Sequence, residues 1–177
     1  MRSDREIIRQ QLGREPLNMR EVVSYCPFKK PAVIKTFPYL KGRPFPTLYW
    51  LTCPYLVREV SRLEDSGLIK ELSLRLRSDS LFKKNMEETH QRYARERFSL
   101  LPEKDIIKIR EKNPSIIRVL KESGVGGIMK KEGIKCLHTH LADFLISGDN
   151  PAGELIDEIV DWPEECYECD NIINRGE

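Results

Sequence analysis

The stretch Thr47-Leu-Tyr-Trp-Leu-Thr-Cys-Pro54 lies where the chain changes from β-rich to helical sequence. Its aromatic and β-branched residues are typical of a strand, and proline suits the first position of a helix. Two further β-rich segments precede it, Arg20 to Tyr25 and Ala32 to Phe37, and prolines and glycines interrupt the connections. We therefore predict a small antiparallel sheet of about three strands near the N-terminus.

The remainder of the chain favours helices. Ser3 and Gly13 are typical of the cap and the end of a first helix before the sheet. Beyond the sheet, apolar residues at helical spacing predict helices at about 54–66, 68–76, 79–98, 103–112, 114–122, 137–146 and 151–161. The predicted fold class is α+β, with several helices packed on the sheet and a helix-rich C-terminal half. Residues 1–163 are expected to form one globular domain, followed by an acidic tail at 164–177.

Length and composition exclude several classes of protein. The chain has 177 residues and a net charge of +2, which suits one domain with a core of its own. Its uninterrupted apolar runs are too short to span a membrane, and no apolar stretch of a secretory signal follows Met1. Five cysteines in such a chain are expected as thiols in a reducing compartment, so we predict a cytoplasmic protein.

The near-neutral total charge hides an asymmetry along the chain. Residues 136–177 contain 11 acidic residues and one basic residue, whereas residues 1–135 contain 29 basic and 17 acidic residues. Either the acidic segment folds back on the basic body, or it forms a surface for a protein partner. Nucleic-acid binding by the basic helical segment Gln91 to Phe98 is not favoured, because glutamates interrupt its positive face.

Three short segments contain the candidate metal ligands: Cys26-Pro27, Cys53-Pro54 and Cys136-Leu-His138-Thr-His140. The first and third strands of a meander run in the same direction, so Cys26 and Cys53 should emerge at one end of the sheet, about 10 Å apart. Cys53 and Cys136 also precede predicted helices, where the helix dipole stabilises a thiolate. In an extended segment 136, 138 and 140 share a face, whereas in a helix 136 and 140 share one with Asp143.

The preferred ligand set is Cys26, Cys53, Cys136 and His138, with His140 as a substitute or an outer partner. Cysteine and histidine bind zinc, and cysteine-rich sets also hold iron–sulfur clusters. Two alternatives stay open: a metal-free protein- or nucleic-acid-interaction module with a basic body and an acidic C-terminal segment, in which the thiols are inert, and a thiol-dependent enzyme that uses Cys53 or Cys136. The pair Cys166 and Cys169 is interpreted as local structure of the tail.

Several motifs together resemble a known family. They are Cys26-Pro27, Pro31-Ala-Val, Pro44-Phe-Pro-Thr-Leu-Tyr-Trp-Leu-Thr-Cys-Pro54, Ser61-Arg-Leu-Glu64, Lys135-Cys-Leu-His138 and Asn150-Pro151, with Gln11-Leu-Gly-Arg-Glu-Pro16 before them. Over about residues 8–155 the chain resembles the bacterial domain-of-unknown-function family 501. The resemblance implies a bacterial protein of cytoplasmic type and implies no established activity. Cys166 and Cys169 lie outside the similar part.

Overall fold

A computed structural model describes residues 2–129 and 133–174 of the chain. The last three residues of the predicted tail therefore lie outside the described residues. The described residues form the strands β1 (Met19–Tyr25), β2 (Pro31–Thr36), β3 (Tyr39–Leu40), β4 (Arg43–Pro44) and β5 (Tyr49–Leu51). The helices are α1 (Asp4–Leu12), α2 (Pro54–Asp65), α3 (Leu68–Ser78), α4 (Ser80–Ser99), α5 (Glu103–Lys112), α6 (Pro114–Glu122), α7 (Leu137–Ser147), α8 (Pro151–Ile159) and α9 (Glu168–Asn174). The α+β prediction is confirmed.

The main sheet is antiparallel with the strand order β1-β2-β5. Val33 pairs with Leu51 and Ile34 with Trp50, so the apolar segment of β2 lies between both neighbours. The predicted three-stranded sheet is thus confirmed, and β1 and β5 run in the same direction on either side of β2. A two-stranded hairpin of β3 and β4 occupies the proline-rich connection, which was expected to be only a link.

Local capping explains where several helices begin and end. Ser3 and Glu6 form a reciprocal capping box at the start of α1, and Gly13 ends that helix in the left-handed conformation. Asn150 caps α8 by accepting the N–H of Gly153, and Pro151 follows at the first helical position. These ends are set by neighbouring residues, so the sequence alone was sufficient to locate them.

Helix α7 packs against β5, α2 and α8. Its buried residues include Leu137, Leu141 and Ala142, which belong to the main apolar core with Val33, Leu51 and other sheet residues. In the described part of the chain no helix has the length and apolar character needed to cross a bilayer. The arrangement brings the N-terminal end of α7 against α2 and beside β5.

Candidate metal centre and adjoining cleft

The N-terminal end of α7 meets the C-terminal half of α2. Cys136 is the N-cap of α7 and has an extended backbone, with φ −146° and ψ 115°. The N–H of Leu137 lies in the first turn of α7, where backbone N–H groups have no acceptor within the helix. It donates to Oε1 of Glu64 at 2.8 Å. This hydrogen bond fixes the carboxylate of α2 at the positive end of α7, where a negative charge is stabilised.

His138 lies between these two helices, and both of its ring nitrogens have partners. Nε2 is 3.1 Å from the carbonyl oxygen of Val57 and 3.2 Å from the hydroxyl of Ser61. Because a carbonyl oxygen only accepts, the assignment of the ring proton to Nε2 satisfies this contact. The other nitrogen, Nδ1, is 3.2 Å from Oε1 of Glu64 and 3.9 Å from Sγ of Cys136. The ring therefore directs Nδ1 towards a carboxylate and a thiol.

Glu64, Cys136 and His138 form the one group of this kind in the described part of the chain: three potential ligand atoms, all within 4.8 Å of one another. A tetrahedral zinc ion with Zn–S of about 2.3 Å and Zn–N of about 2.0 Å places its ligand atoms roughly 3.3–3.6 Å apart. The observed separations of 3.2 and 3.9 Å are close to these values. Two of the three separations are thus close to those around one tetrahedral ion, and the third, between the Glu64 carboxylate and Sγ of Cys136, is no more than 4.8 Å.

The outer contacts of this group also match those of metal ligands. A histidine that binds a metal commonly donates its second ring N–H to a backbone carbonyl or carboxylate, which fixes the orientation of the ring. Here the Val57 carbonyl is in that position relative to His138. The Glu64 carboxylate is likewise held by the Leu137 N–H. Backbone groups of α2 and α7 thus orient both side chains.

The protonation states of Cys136 and His138 are shifted in opposite directions. Burial would raise the pKa of the Cys136 thiol, but hydrogen-bonding groups of His138 and Thr139 lower it below its ordinary value. Burial would also lower the pKa of His138, but the Cys136 thiolate, the Val57 carbonyl and the Glu64 carboxylate raise it to about 9. Both shifts favour the charged forms of the two groups, a thiolate and an imidazolium.

A cleft of about 640 Å³ adjoins the three-residue group. Its walls are formed by β5 and the segment before it, by the first turns of α2 and α7, and by the end of α1. Its lining residues are Gln11, Leu12, Arg14, Phe45, Thr47, Tyr49, Trp50, Leu51, Thr52, Pro54, Val57, Arg58, Cys136, His138 and Thr139. Cys136 and His138 border the cleft and Glu64 does not, so the carboxylate lies behind them.

Cys26 and Cys53 lie elsewhere, at the end of the main sheet. Cys26 follows β1 and its Sγ accepts the N–H of Lys30, whereas the N–H of Cys53 donates to the carbonyl of Ala32. Both side chains are buried, and neither belongs to a group of three ligand atoms within 4.8 Å in residues 2–129 and 133–174. The structure thus brings Cys136 and His138 together with Glu64, and it does not add Cys26 or Cys53 to them.

The C-terminal helix α9 covers that end of the sheet. Gln11 donates its Nε2 both to the carbonyl of Pro31 and to Sγ of Cys169. Lys30 forms an ion pair with Asp170 at 2.7 Å, and Arg58 forms one with Glu168. Acidic residues after Cys136 therefore do pair with basic residues of the body, as the first interpretation of the charge asymmetry predicts.

His140 belongs to the core and not to the group around His138. It is fully buried, its Nδ1 lies 3.2 Å from Oδ1 of Asn150, and burial lowers its pKa to about 4. Asp143 on the same side of α7 accepts the amide of Asn150 at 2.9 Å and pairs with Arg92 at 2.6 Å. The helical register of α7 therefore separates His140 from His138, and Asn150 joins His140 to Asp143.

Several charged side chains of the basic segment of α4, residues 91–98, make contacts inside the protein. Arg92 pairs with Asp143, and Arg97 is completely buried among backbone carbonyls. Glu96 accepts hydrogen bonds from Lys35 and Tyr49. Two of the three arginines between Gln91 and Phe98 are thus committed to contacts inside the protein.

The residue patterns did not predict Glu64 as a ligand, although it ends the motif Ser61-Arg-Leu-Glu64 that contributes to the family resemblance. Val57, Ser61 and Glu64 are spaced at i, i+4 and i+7, so they lie on one side of α2. All three contact His138. The sequence does place the polar residues Ser61 and Glu64 on the same side of α2 as Val57. This pattern is common on partly exposed helices, so it does not indicate a metal ligand.

Comparison with known proteins gives a family match without an activity. The family model described as "Protein of unknown function (DUF501)" matches residues 22–158, which is more than half of the chain. No curated protein and no solved structure matches the chain. The matched range includes Glu64, Cys136 and His138 and ends before Cys166 and Cys169.

Proposed function

The chain belongs to the DUF501 family of proteins of unknown function, and we propose that it is a metal-dependent protein that binds one zinc ion through Glu64, Cys136 and His138. The convergence of one ligand atom from each of Glu64, Cys136 and His138 within 4.8 Å carries this proposal. Carboxylate, thiolate and imidazole are all zinc ligands, and the separations of Nδ1 of His138 from the other two ligand atoms are close to those of a tetrahedral site. Zinc would also neutralise the negative charge that Glu64 and the thiolate share.

The donor set favours zinc over an iron–sulfur cluster. Such clusters are usually held by four cysteine thiolates, or by cysteines with histidines on one iron. The proposed set contains one sulfur, one nitrogen and one oxygen donor. Zinc, which has no geometric preference from its d electrons, accepts such mixed sets.

Because the proposed site has only three protein ligands, we favour a catalytic zinc over a structural one. Catalytic zinc sites use three protein ligands and leave the fourth position to water or substrate. Two of the proposed ligands border the cleft, and Glu64 lies behind them. A zinc ion at this place would present its fourth position to the cleft, where it could polarise a carbonyl or phosphoryl oxygen or lower the pKa of a bound water.

A thiol-dependent enzyme that uses Cys136 is the second candidate. Cys136 borders the same cleft and lies 3.9 Å from a ring nitrogen of His138, an arrangement in which a histidine can assist a nucleophilic cysteine. Cys53 fits this role poorly, because it is 3 % exposed and burial raises its pKa to about 12. Alkylation by iodoacetamide separates the two candidates: added Zn²⁺ should protect a zinc-binding Cys136 and should leave a purely nucleophilic one reactive.

Substitution Glu64→Gln tests the ligand that only the structure supplies. We expect zinc affinity to fall by about 10- to 100-fold, because the neutral amide is a weaker ligand than a carboxylate. Competition with a chromogenic zinc chelator measures the affinity. Glu71→Gln, an exposed carboxylate on α3, is the matched control and should bind zinc like the original protein. Equal affinities of both variants would remove Glu64 from the site.

A further inference from the structure

Two buried polar atoms in the wall of the cleft have no hydrogen-bond partner among the described residues. One is the hydroxyl oxygen of Thr52, whose side chain is completely buried, and the other is Oε1 of Gln11. Both residues line the cleft. Buried polar groups are normally paired, and an unpaired one costs free energy, so unpaired groups in a concave wall indicate where a bound molecule supplies the missing partner.

The chemistry of these atoms restricts that molecule. Gln11 already donates its Nε2 to Pro31 and Cys169, so its Oε1 is fixed as an acceptor and requires a donor from the ligand. The Thr52 hydroxyl can donate to an acceptor atom of the ligand. The molecule therefore carries both a donor and an acceptor.

The charge of the cleft favours an anion. Its described lining contains Arg14 and Arg58 and has no aspartate or glutamate. Arg58 pairs with Glu59 and Glu168, whereas Arg14 forms no ion pair within the described residues. Helices α2 and α7 also begin at the cleft, and the positive ends of their dipoles add to this field.

The remaining walls suit a planar group. Phe45, Tyr49 and Trp50 line the cleft, and the Phe45 and Trp50 rings are 6.1 Å apart at 45°. The Arg14 guanidinium lies 4.9 Å from the centre of the Trp50 ring. Such stacking restrains a guanidinium, which can then bind an oxyanion with its free N–H groups.

We propose that the cleft binds a small planar organic oxyanion, a phosphate monoester or a carboxylate, and that this molecule is the substrate of the proposed metal centre. Arg14 binds the anionic group, Thr52 donates to an acceptor, and Gln11 accepts from a donor of the ligand. The substrate assignment rests on the proposed zinc function, whereas binding of the anion does not. The position of Cys136 and His138 on the cleft wall places the ligand beside the metal.

Trp50 provides the readout for a binding experiment. The chain has two tryptophans, and Trp162 stacks on Tyr55 outside the cleft lining. A Trp162→Phe background leaves Trp50 as the sole tryptophan. 4-Hydroxyphenyl phosphate, 4-hydroxybenzoate and neutral 4-hydroxybenzyl alcohol, each with a hydroxyl donor for Gln11, are titrated into zinc-loaded and chelator-treated protein, and Trp50 fluorescence is followed.

We expect one of the two anions to bind at least about 10-fold more tightly than 4-hydroxybenzyl alcohol, and more tightly with zinc than without it. Arg14→Gln should weaken anion binding by about 10-fold or more, because it removes the charge that pairs with the anion. Arg20→Gln is the matched control, since Arg20 also lies over an aromatic ring, that of Phe37, but does not line the cleft. The control should bind the anions as the background protein does.

Thr52→Val separates ligand binding from folding. Valine replaces the hydroxyl by a methyl of similar size, so removal of a buried unpaired group should leave the thermal midpoint unchanged or higher. Anion affinity should nevertheless fall by several-fold. Failure of both anions to bind, or equal weakening by Arg14→Gln and Arg20→Gln, would overturn the anion site. Tight anion binding that does not depend on zinc would overturn the substrate assignment and leave the zinc proposal to its own test.

Discussion

Replacing Cys136 by serine is expected to lower zinc affinity by at least about 100-fold. Loss of an outer hydrogen-bond partner of a metal ligand already costs about 10- to 100-fold, and Cys136 supplies the only sulfur donor of the proposed site. The hydroxyl of serine is a far weaker zinc ligand than a thiolate, because it stays protonated near neutral pH. Competition with a zinc chelator gives the affinity, and circular dichroism checks that the variant is folded.

Cys26→Ala and Cys53→Ala are the matched controls for this result. Both thiols are buried at the end of the main sheet and lie outside the group around His138 in the described part of the chain. We expect both variants to retain the zinc affinity of the original protein. A loss in Cys26→Ala or Cys53→Ala as large as that in Cys136→Ser would contradict the proposed ligand set and would favour the set predicted from the sequence.

Substitution of Arg97 by methionine is expected to lower the free energy of unfolding by about 3–5 kcal/mol. Arg97 is completely buried, and its guanidinium donates to the carbonyls of Pro46, Leu120 and Ser123. The last two lie at the C-terminal end of α6, where helix carbonyls have no partners within the helix. Methionine fills much of the space and leaves these carbonyls unpaired.

Urea unfolding followed by circular dichroism measures the effect of Arg97→Met. Arg95→Met on the exposed side of the same helix is the control, and it should change stability by less than about 0.5 kcal/mol. A similar, small change in both variants would show that the guanidinium contributes little to stability. Arg97 also fixes the carbonyl of Pro46, between the cleft residues Phe45 and Thr47, so its loss should disturb the cleft wall.

The fold was largely predictable from the sequence because its boundaries depend on local signals. Ser3, Gly13, Pro54 and the pair Asn150-Pro151 set helix ends through contacts with residues at most a few positions away. The strands follow from the clustering of β-branched and aromatic residues. The hairpin Tyr39–Pro44 was missed because each of its strands has only two residues.

The candidate site was less predictable because it depends on which helices meet. Cys136 and His138 come together through the extended backbone of a helix cap, a local feature that their spacing suggested. Glu64 reaches them from α2, and no pattern within either segment shows that these helices pack together. The end of the sheet with Cys26 and Cys53 was likewise expected to face the Cys136 segment, whereas α9 lies against it through Cys169 and Asp170.

X-ray absorption spectroscopy at the zinc edge tests the central proposal most directly. The protein is loaded with one equivalent of Zn²⁺ and freed of excess metal, and its extended fine structure is fitted for sulfur and nitrogen or oxygen neighbours. We predict one Zn–S distance of about 2.3 Å and three lighter neighbours at about 2.0–2.2 Å, from His138, Glu64 and a water molecule. A spectrum with three or four sulfur neighbours, or a protein that retains no zinc, would contradict the account.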